Sequence, residues 1–66
     1  MKIILSNGKI KVRHFNGETK QIGYYQRNAF DNTWYANFEH NGITYERTER
    51  KQSDIRYMVS VIIMEG

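Results

Sequence analysis

Cationic side chains near the amino terminus are spaced so that a strand would place them on one face. Lys9, Lys11 and Arg13 recur at every second residue, and Lys2 joins them if the chain turns between. Residues two apart on a strand are separated by ~6.6–6.8 Å, which is similar to the phosphate spacing along one nucleic-acid strand. The pattern predicts a polyanion-binding face, although lysines also protect edge strands from aggregation.

The turn that this face requires is supplied by the pair Asn7-Gly8. Asn and Gly tolerate the positive φ angles of a type I′ turn, which closes a two-residue hairpin. The resulting register gathers Lys2, Lys9, Lys11 and Arg13 on one face and leaves Ile4 among them. The other face is apolar, with Met1, Ile3, Leu5, Ile10, Val12 and His14.

A second hairpin is predicted over residues 33–50, TWYANFEHNGITYERTER, around the pair Asn41-Gly42. Alternation makes one of its faces apolar, and we expect that face in the core. The opposite face carries Tyr35 beside Asn37 and Thr48, where an aromatic ring is available for contact. The expected core residues are Trp34, Ala36, Phe38, Ile43 and Tyr45.

The third Asn-Gly pair, Asn16-Gly17, does not fit a tight turn. Such a turn would place Ile22 opposite Lys11, on the charged face. Either a β-bulge resets the phase or FNGETK forms a longer loop. The following QIGYYQR reads as a strand, and Lys20 before it and Arg27 at its end could extend the basic patch.

Residues 53–64, SDIRYMVSVIIM, have a pattern that fits either a helix or a strand. A helix would start at a Ser53 or Asp54 cap, whereas a strand is favoured by the β-branched residues. The helical alternative gives an α+β domain: a small, mostly antiparallel sheet of three to five strands with one carboxyl-terminal helix on one face. The strand alternative gives a small all-β barrel. One helical face would carry Ile55, Met58, Val59, Ile62 and Ile63.

Composition limits the kinds of function that this chain can have. Its 66 residues, with a net charge of +3 and no cysteine, predict one small domain, residues 1–66, without disulfides. His14 and His40 fall at strand ends on apolar faces, where a partly buried histidine with one hydrogen bond is expected rather than a catalytic base. No catalytic residue, metal site or cofactor is expected, and the protein is predicted not to be an enzyme.

Charge and hydropathy along the chain indicate its surroundings and partners. The apolar run at residues 3–5 is too short for a signal peptide or a membrane span, so a cytoplasmic protein without membrane contact is predicted. Residues 1–33 hold six Lys or Arg against two acidic residues, whereas residues 34–66 hold four against five. This asymmetry predicts a nucleic acid or an acidic protein surface as partner.

Residues 23–59, GYYQRNAFDNTWYANFEHNGITYERTERKQSDIRYMV, resemble the AP2-like, arm-type amino-terminal DNA-binding domain of phage and transposon integrases. The shared pattern is a strand that opens on Trp34, an Asn-Gly turn and a polar strand that leads into a helix. The resemblance implies that the sheet face away from the helix enters the DNA major groove. Two features depart from the family: Glu39 and Glu46 on that face would repel phosphate, and the carboxyl-terminal segment is unusually apolar. The residues implied on the reading face are Tyr25, Arg27, Tyr35, Asn37, Thr44, Glu46 and Thr48.

The sequence therefore predicts a small DNA-binding domain that uses a basic hairpin face. The alternative is a phage-type small protein that binds and inhibits or redirects a host protein, through the same basic surface or the apolar carboxyl-terminal segment. A homodimer through that apolar segment fits both functions. The expected nucleic-acid-binding residues are Lys2, Lys9, Lys11, Arg13, Lys20, Arg27, Tyr35 and Asn37.

Overall fold

The computed structural model describes residues 1–65 as an open antiparallel sheet with one helix. The predicted α+β class is confirmed, and the all-β alternative is wrong because residues 53–64 are helical. The strands neighbour one another in chain order, so each pairs with the one before it. They are β1 (Lys2–Ser6), β2 (Lys9–Arg13), β3 (Thr19–Asn28), β4 (Thr33–His40) and β5 (Ile43–Glu49), followed by α1 (Gln52–Glu65).

Both predicted two-residue hairpins are confirmed, and every observed pair has the predicted register. The predicted pair of Met1 with His14 lies beyond the ends of the strands. Asn7 and Gly8 have φ angles of 52° and 79°, and Asn41 and Gly42 have φ angles of 53° and 78°. These positive values match a type I′ turn, whose twist suits the flanking strands. The turns therefore fix which side chains share a face.

The connection between β2 and β3 combines a longer loop with a bulge. The Gly17 amide donates to the His14 carbonyl at 2.9 Å, and Gly17 has a φ angle of 88°, which closes a loop of three residues. Arg13 then pairs with Thr19, and the register shifts opposite Ile10 and Lys11, where Ile22 is the extra residue. Ile22 is half-buried against the core, so the bulge removes the predicted clash of an isoleucine with the charged face.

The core lies between α1 and the face of the sheet that we call the inner face. Trp34 and Tyr45, which were expected in the core, are half-buried at its margin. Ile43 was also expected there, but 55% of its surface is exposed because it lies on the edge strand beside the turn. The buried residues are Ile3, Ile10, Val12, Tyr25, Ala36, Phe38, Ile55, Val59 and Ile63.

The helix buries the apolar face that its spacing predicts and packs against β1, β4 and β5. Ile55, Val59 and Ile63 are buried, and Met58 and Ile62 are half-buried beside them. The helix begins at Gln52, so Ser53 and Asp54 do not cap it as predicted. Both lie within the first turn, where the helix dipole favours the negative charge of Asp54. No helix within residues 1–65 is long and apolar enough to cross a membrane.

Candidate nucleic-acid interface

The outer face of the sheet, which is the face away from α1, carries the predicted basic patch. Lys2 and Arg13 lie directly opposite each other on β1 and β2. Lys9 faces Ser6 and Tyr24, and Lys11 faces Ile4 and Gln21. No carboxylate is a cross-strand partner of these four residues within the described chain. We call Lys2, Lys9, Lys11 and Arg13 the basic hairpin face.

This clustering of cations lowers the stability of the sheet, and the fold does not require it. Like charges directly opposite each other in a sheet are destabilising, and Lys2 and Arg13 are such a pair. The guanidinium of Arg13 donates a hydrogen bond of 3.5 Å from Nε to the Thr19 hydroxyl oxygen. A neutral hydroxyl does not compensate the positive charge of Arg13. A polyanion would relieve the repulsion.

Lys20 and Arg27, which were expected to extend the patch, lie on the other face. Lys20 pairs with Val12, so both point to the inner face. Arg27 pairs with Trp34, and its guanidinium donates a hydrogen bond to the side chain of Asn32. The bulge explains Lys20, because a tight turn would have paired Lys20 with Arg13 on the outer face. Arg27 follows the bulge, where the tight-turn and observed registers agree, so it lies on the inner face in both.

Two tyrosines form an aromatic patch next to the basic hairpin face. Tyr24 pairs with Lys9 on one side and with Asn37 on the other. Its ring centroid lies 6.3 Å from that of Tyr35 on β4, with the planes tilted by 51°. Tyr24 is 47% exposed, and Tyr35 is half-buried on the predicted outer face.

Sequence reasoning missed Tyr24 and misplaced Tyr25. The resemblance implied an outward Tyr25, but the ring is buried beside Trp34, with centroids 5.9 Å apart. Its hydroxyl accepts a hydrogen bond of 3.1 Å from Gln52 Nε2 at the start of α1. Adjacent residues on a strand point to opposite faces, so the doublet Tyr24-Tyr25 was itself a signal that one ring faces outward.

The far side of the outer face is polar and acidic. Asn37 Nδ2 donates to the Tyr35 hydroxyl and to Glu46 Oε1, both at 3.3 Å. Thr44, Glu46 and Thr48 share this face with Asn37, as the resemblance implied, and Glu39 lies opposite Thr44. The outer face therefore grades from cationic at β1 and β2, through aromatic and amide groups, to anionic at β4 and β5.

The loop between β3 and β4 is ordered by side-chain hydrogen bonds around an exposed ring. Asn28 Oδ1 accepts from the Phe30 amide at 3.0 Å. Asp31 Oδ1 accepts from the Thr33 hydroxyl at 2.6 Å and from the Thr33 amide at 3.1 Å. These bonds, the hydroxyl first, hold the pKa of Asp31 below its ordinary value of 3.8. Phe30 is 99% exposed, and Phe15 in the preceding loop is 96% exposed.

The histidines lie apart from this face. His14 is exposed in its loop, whereas a partly buried position was expected. His40 is half-buried, with its Nε2 3.2 Å from Asn41 Nδ2. Within residues 1–65, no group of three His, Cys, Asp or Glu residues lies close enough together to hold a metal ion.

Comparisons of the chain with protein-family models, with curated proteins and with solved structures find no match.

Proposed function

We propose that this protein binds single-stranded nucleic acid on the outer face of its sheet. The single observation that carries the proposal is the exposed Tyr24 ring beside Lys9, on the strand that adjoins the basic hairpin face. Single-strand-binding proteins combine a cationic track for the backbone with aromatic rings on which bases stack. Both components lie here on adjacent strands of one face.

The basic hairpin face supplies the track for the phosphates. Its four cations occupy β1 and β2, with Lys9, Lys11 and Arg13 at every second residue of one strand. The ~6.6–6.8 Å repeat allows successive phosphates to meet successive cations. Counterion release then provides most of the affinity without sequence preference.

The tyrosine pair supplies the stacking surface for the bases. Neighbouring strands are about 4.8 Å apart, so Tyr24 on β3 and Tyr35 on β4 lie one and two strands from the cations of β2. A strand whose phosphates follow β2 would direct its bases across these rings. The amide hydrogens of Asn37 are donated to Tyr35 and Glu46, so its Oδ1 is the atom that can accept a hydrogen bond from a base edge.

The charge gradient favours a single strand over a duplex. A duplex presents two phosphate backbones, and one of them would approach β4 and β5. Glu39 and Glu46 lie on the outer face there and would repel it. A single strand keeps its only backbone on the cationic side. This differs from the major-groove binding that the resemblance implies.

Fluorescence anisotropy with labelled oligonucleotides tests the proposal. A 12-nucleotide DNA strand, its RNA equivalent and the matching duplex DNA would each be titrated at several salt concentrations. We expect micromolar affinity for the single strands and weaker binding to the duplex. The slope of log K against log salt should be about −2 to −3, because three to four phosphates are contacted.

Other results would assign the surface differently. Tighter binding to the duplex, with a slope of about −3 to −4, would support the major-groove mode instead. No binding to any oligonucleotide at low salt would overturn the proposal. The basic hairpin face would then be tested against acidic protein surfaces, as the inhibitor alternative requires.

A further inference from the structure

Strand β5 forms an open edge of the sheet. It pairs with β4 on one side, and no strand within residues 1–65 lies on the other. The two-residue turn makes His40 and Ile43 a hydrogen-bonded pair. Antiparallel pairs alternate, so every second residue of β5 from Ile43 bonds to β4. The backbone N–H and C=O groups of the residues between them, Thr44, Glu46 and Thr48, point to the open edge. The Glu46 carbonyl, which points to this edge, accepts a hydrogen bond of 2.9 Å from Arg47 Nη1 of its own chain. Such edges are templates for an added strand.

A groove runs beside this edge on the inner side. It lies between β5 and α1 and has a volume of about 500 Å³. The apolar Met58, Val61 and Ile62 of the helix line it together with Tyr57, which is 72% exposed, and the charged Arg47, Glu49 and Asp54 complete the lining. A strand that added to β5 would lie over the open side of this groove.

The charges along β5 are complementary to those of a second, antiparallel copy. The segment reads Glu46, Arg47, Thr48, Glu49, Arg50. If two copies pair antiparallel around Thr48, Arg47 lies opposite Glu49, twice by symmetry, and both residues belong to β5, which ends at Glu49. Opposite charges and threonine pairs in these positions stabilise a sheet.

The same charges disfavour the neighbouring registers. Centring the pair on Arg47 would put Arg47 opposite its own copy, and centring it on Glu49 would put two glutamates together. Like charges directly opposite each other are destabilising. Among the two-fold registers centred on residues 46 to 49, only the one centred on Thr48 places no like charges opposite each other.

We infer that β5 pairs with β5 of a second copy of this chain in a two-fold dimer centred on Thr48. The two sheets become continuous, and each groove is covered where the copies meet. A two-fold contact closes on itself, so assembly stops at the dimer. The contact lies at the edge strand, on the side of the sheet farthest from the basic hairpin face on β1 and β2.

Charge-swapped variants test this contact. Sedimentation of the wild type should show twice the 7.9 kDa chain mass at high concentration. Arg47→Glu and Glu49→Arg each turn both copies of an attractive pair into repulsive ones, so each should weaken dimerisation at least tenfold. The double variant Arg47→Glu with Glu49→Arg restores opposite charges and should dimerise like the wild type. Circular dichroism would confirm that all variants fold.

Several results would overturn the inference. These are a monomeric wild type at millimolar concentration, single variants that dimerise normally, a double variant that stays monomeric, or assemblies larger than a dimer. Amide hydrogen exchange gives a second readout that does not depend on substitution. The amide of Thr48 should become protected as concentration rises, whereas a contact through α1 alone would leave it unchanged.

Discussion

Tyr24 and Tyr35 lie side by side on the outer face, on adjacent strands, with ring centroids 6.3 Å apart. The Tyr24 ring is 47% exposed, so its loss should affect a ligand more than the fold. We expect Tyr24→Leu to weaken single-strand binding by about 1–3 kcal/mol, the contribution of one stacked base. Anisotropy titrations at fixed salt measure this change.

Two variants provide matched controls for that substitution. Tyr24→Phe keeps the ring and should retain most of the affinity, because stacking does not need the hydroxyl. Tyr57→Leu removes an exposed tyrosine from α1 and should leave the affinity unchanged. If Tyr57→Leu lowers the affinity as much as Tyr24→Leu, the bases do not stack on the outer face.

The basic hairpin face should account for the salt dependence of binding. We expect Lys9→Glu with Lys11→Glu to abolish detectable binding and to flatten the salt slope, since two phosphate contacts become repulsive. The control is Lys20→Glu with Arg27→Glu, which changes the net charge equally on the inner face. This control should reduce affinity only slightly. Equal losses in both variants would mean that net charge, rather than this face, drives binding.

The carboxyl group of Asp31 should report on the order of the loop between β3 and β4. The pKa of Asp31 is lower in the folded state than its ordinary value of 3.8, so the ionised carboxylate stabilises the fold at pH values above 3.8. This stabilisation is lost as the pH falls through the lowered folded-state pKa. We expect Thr33→Val to raise the pKa of Asp31 towards 3.8, since the hydroxyl is the largest cause. Carbon-13 NMR titration of the carboxyl measures it. An unchanged pKa would show that the hydroxyl bond of 2.6 Å does not persist in solution.

The two terminal hairpins could be predicted from the sequence because an Asn-Gly turn fixes the register of every pair beyond it. Both registers are confirmed. The middle connection could not be predicted, because its register depends on a bulge. A two-residue turn at Asn16-Gly17 would have paired Ile10 with Gly23 and Lys9 with Tyr24, as observed. It would have paired Val12 and Arg13 with the wrong residues of β3. The bulge at Ile22 accounts for the difference.

The predicted face was correct for site residues on β4 and wrong for those on β3. Tyr35 and Asn37 lie on a strand whose register was known, and both face outward as predicted. Lys20 lies on β3 before the bulge, where a shift of one residue reverses the face, whereas Arg27 lies after it and faces inward in either register. The doublet Tyr24-Tyr25 required one outward ring, but the sequence alone did not say which. The helix at residues 53–64 was decided by packing, because its β-branched residues also suit a strand.

Gly23 lies opposite Phe38 on β4, next to the bulge. A Cβ added at Gly23 would lie 2.0 Å from the Asn37 carbonyl oxygen and 2.5 Å from Phe38 Cα. The backbone there is not left-handed, so alanine would meet no conformational strain and its cost would be steric. We expect Gly23→Ala to destabilise the protein by about 1–3 kcal/mol or more, as overpacking of a fixed backbone does.

Urea denaturation measures this cost, with Gly17→Ala as the comparison. Gly17 has a φ angle of 88° and open space around it, so alanine there should cost about 1–2 kcal/mol from backbone strain alone. Gly23→Ala should be the more damaging of the two, and it should lower the midpoint without changing the slope. A Gly23→Ala protein as stable as the wild type would mean that β3 and β4 lie farther apart at this point. The pairing that aligns Tyr24 with Asn37 would then need revision.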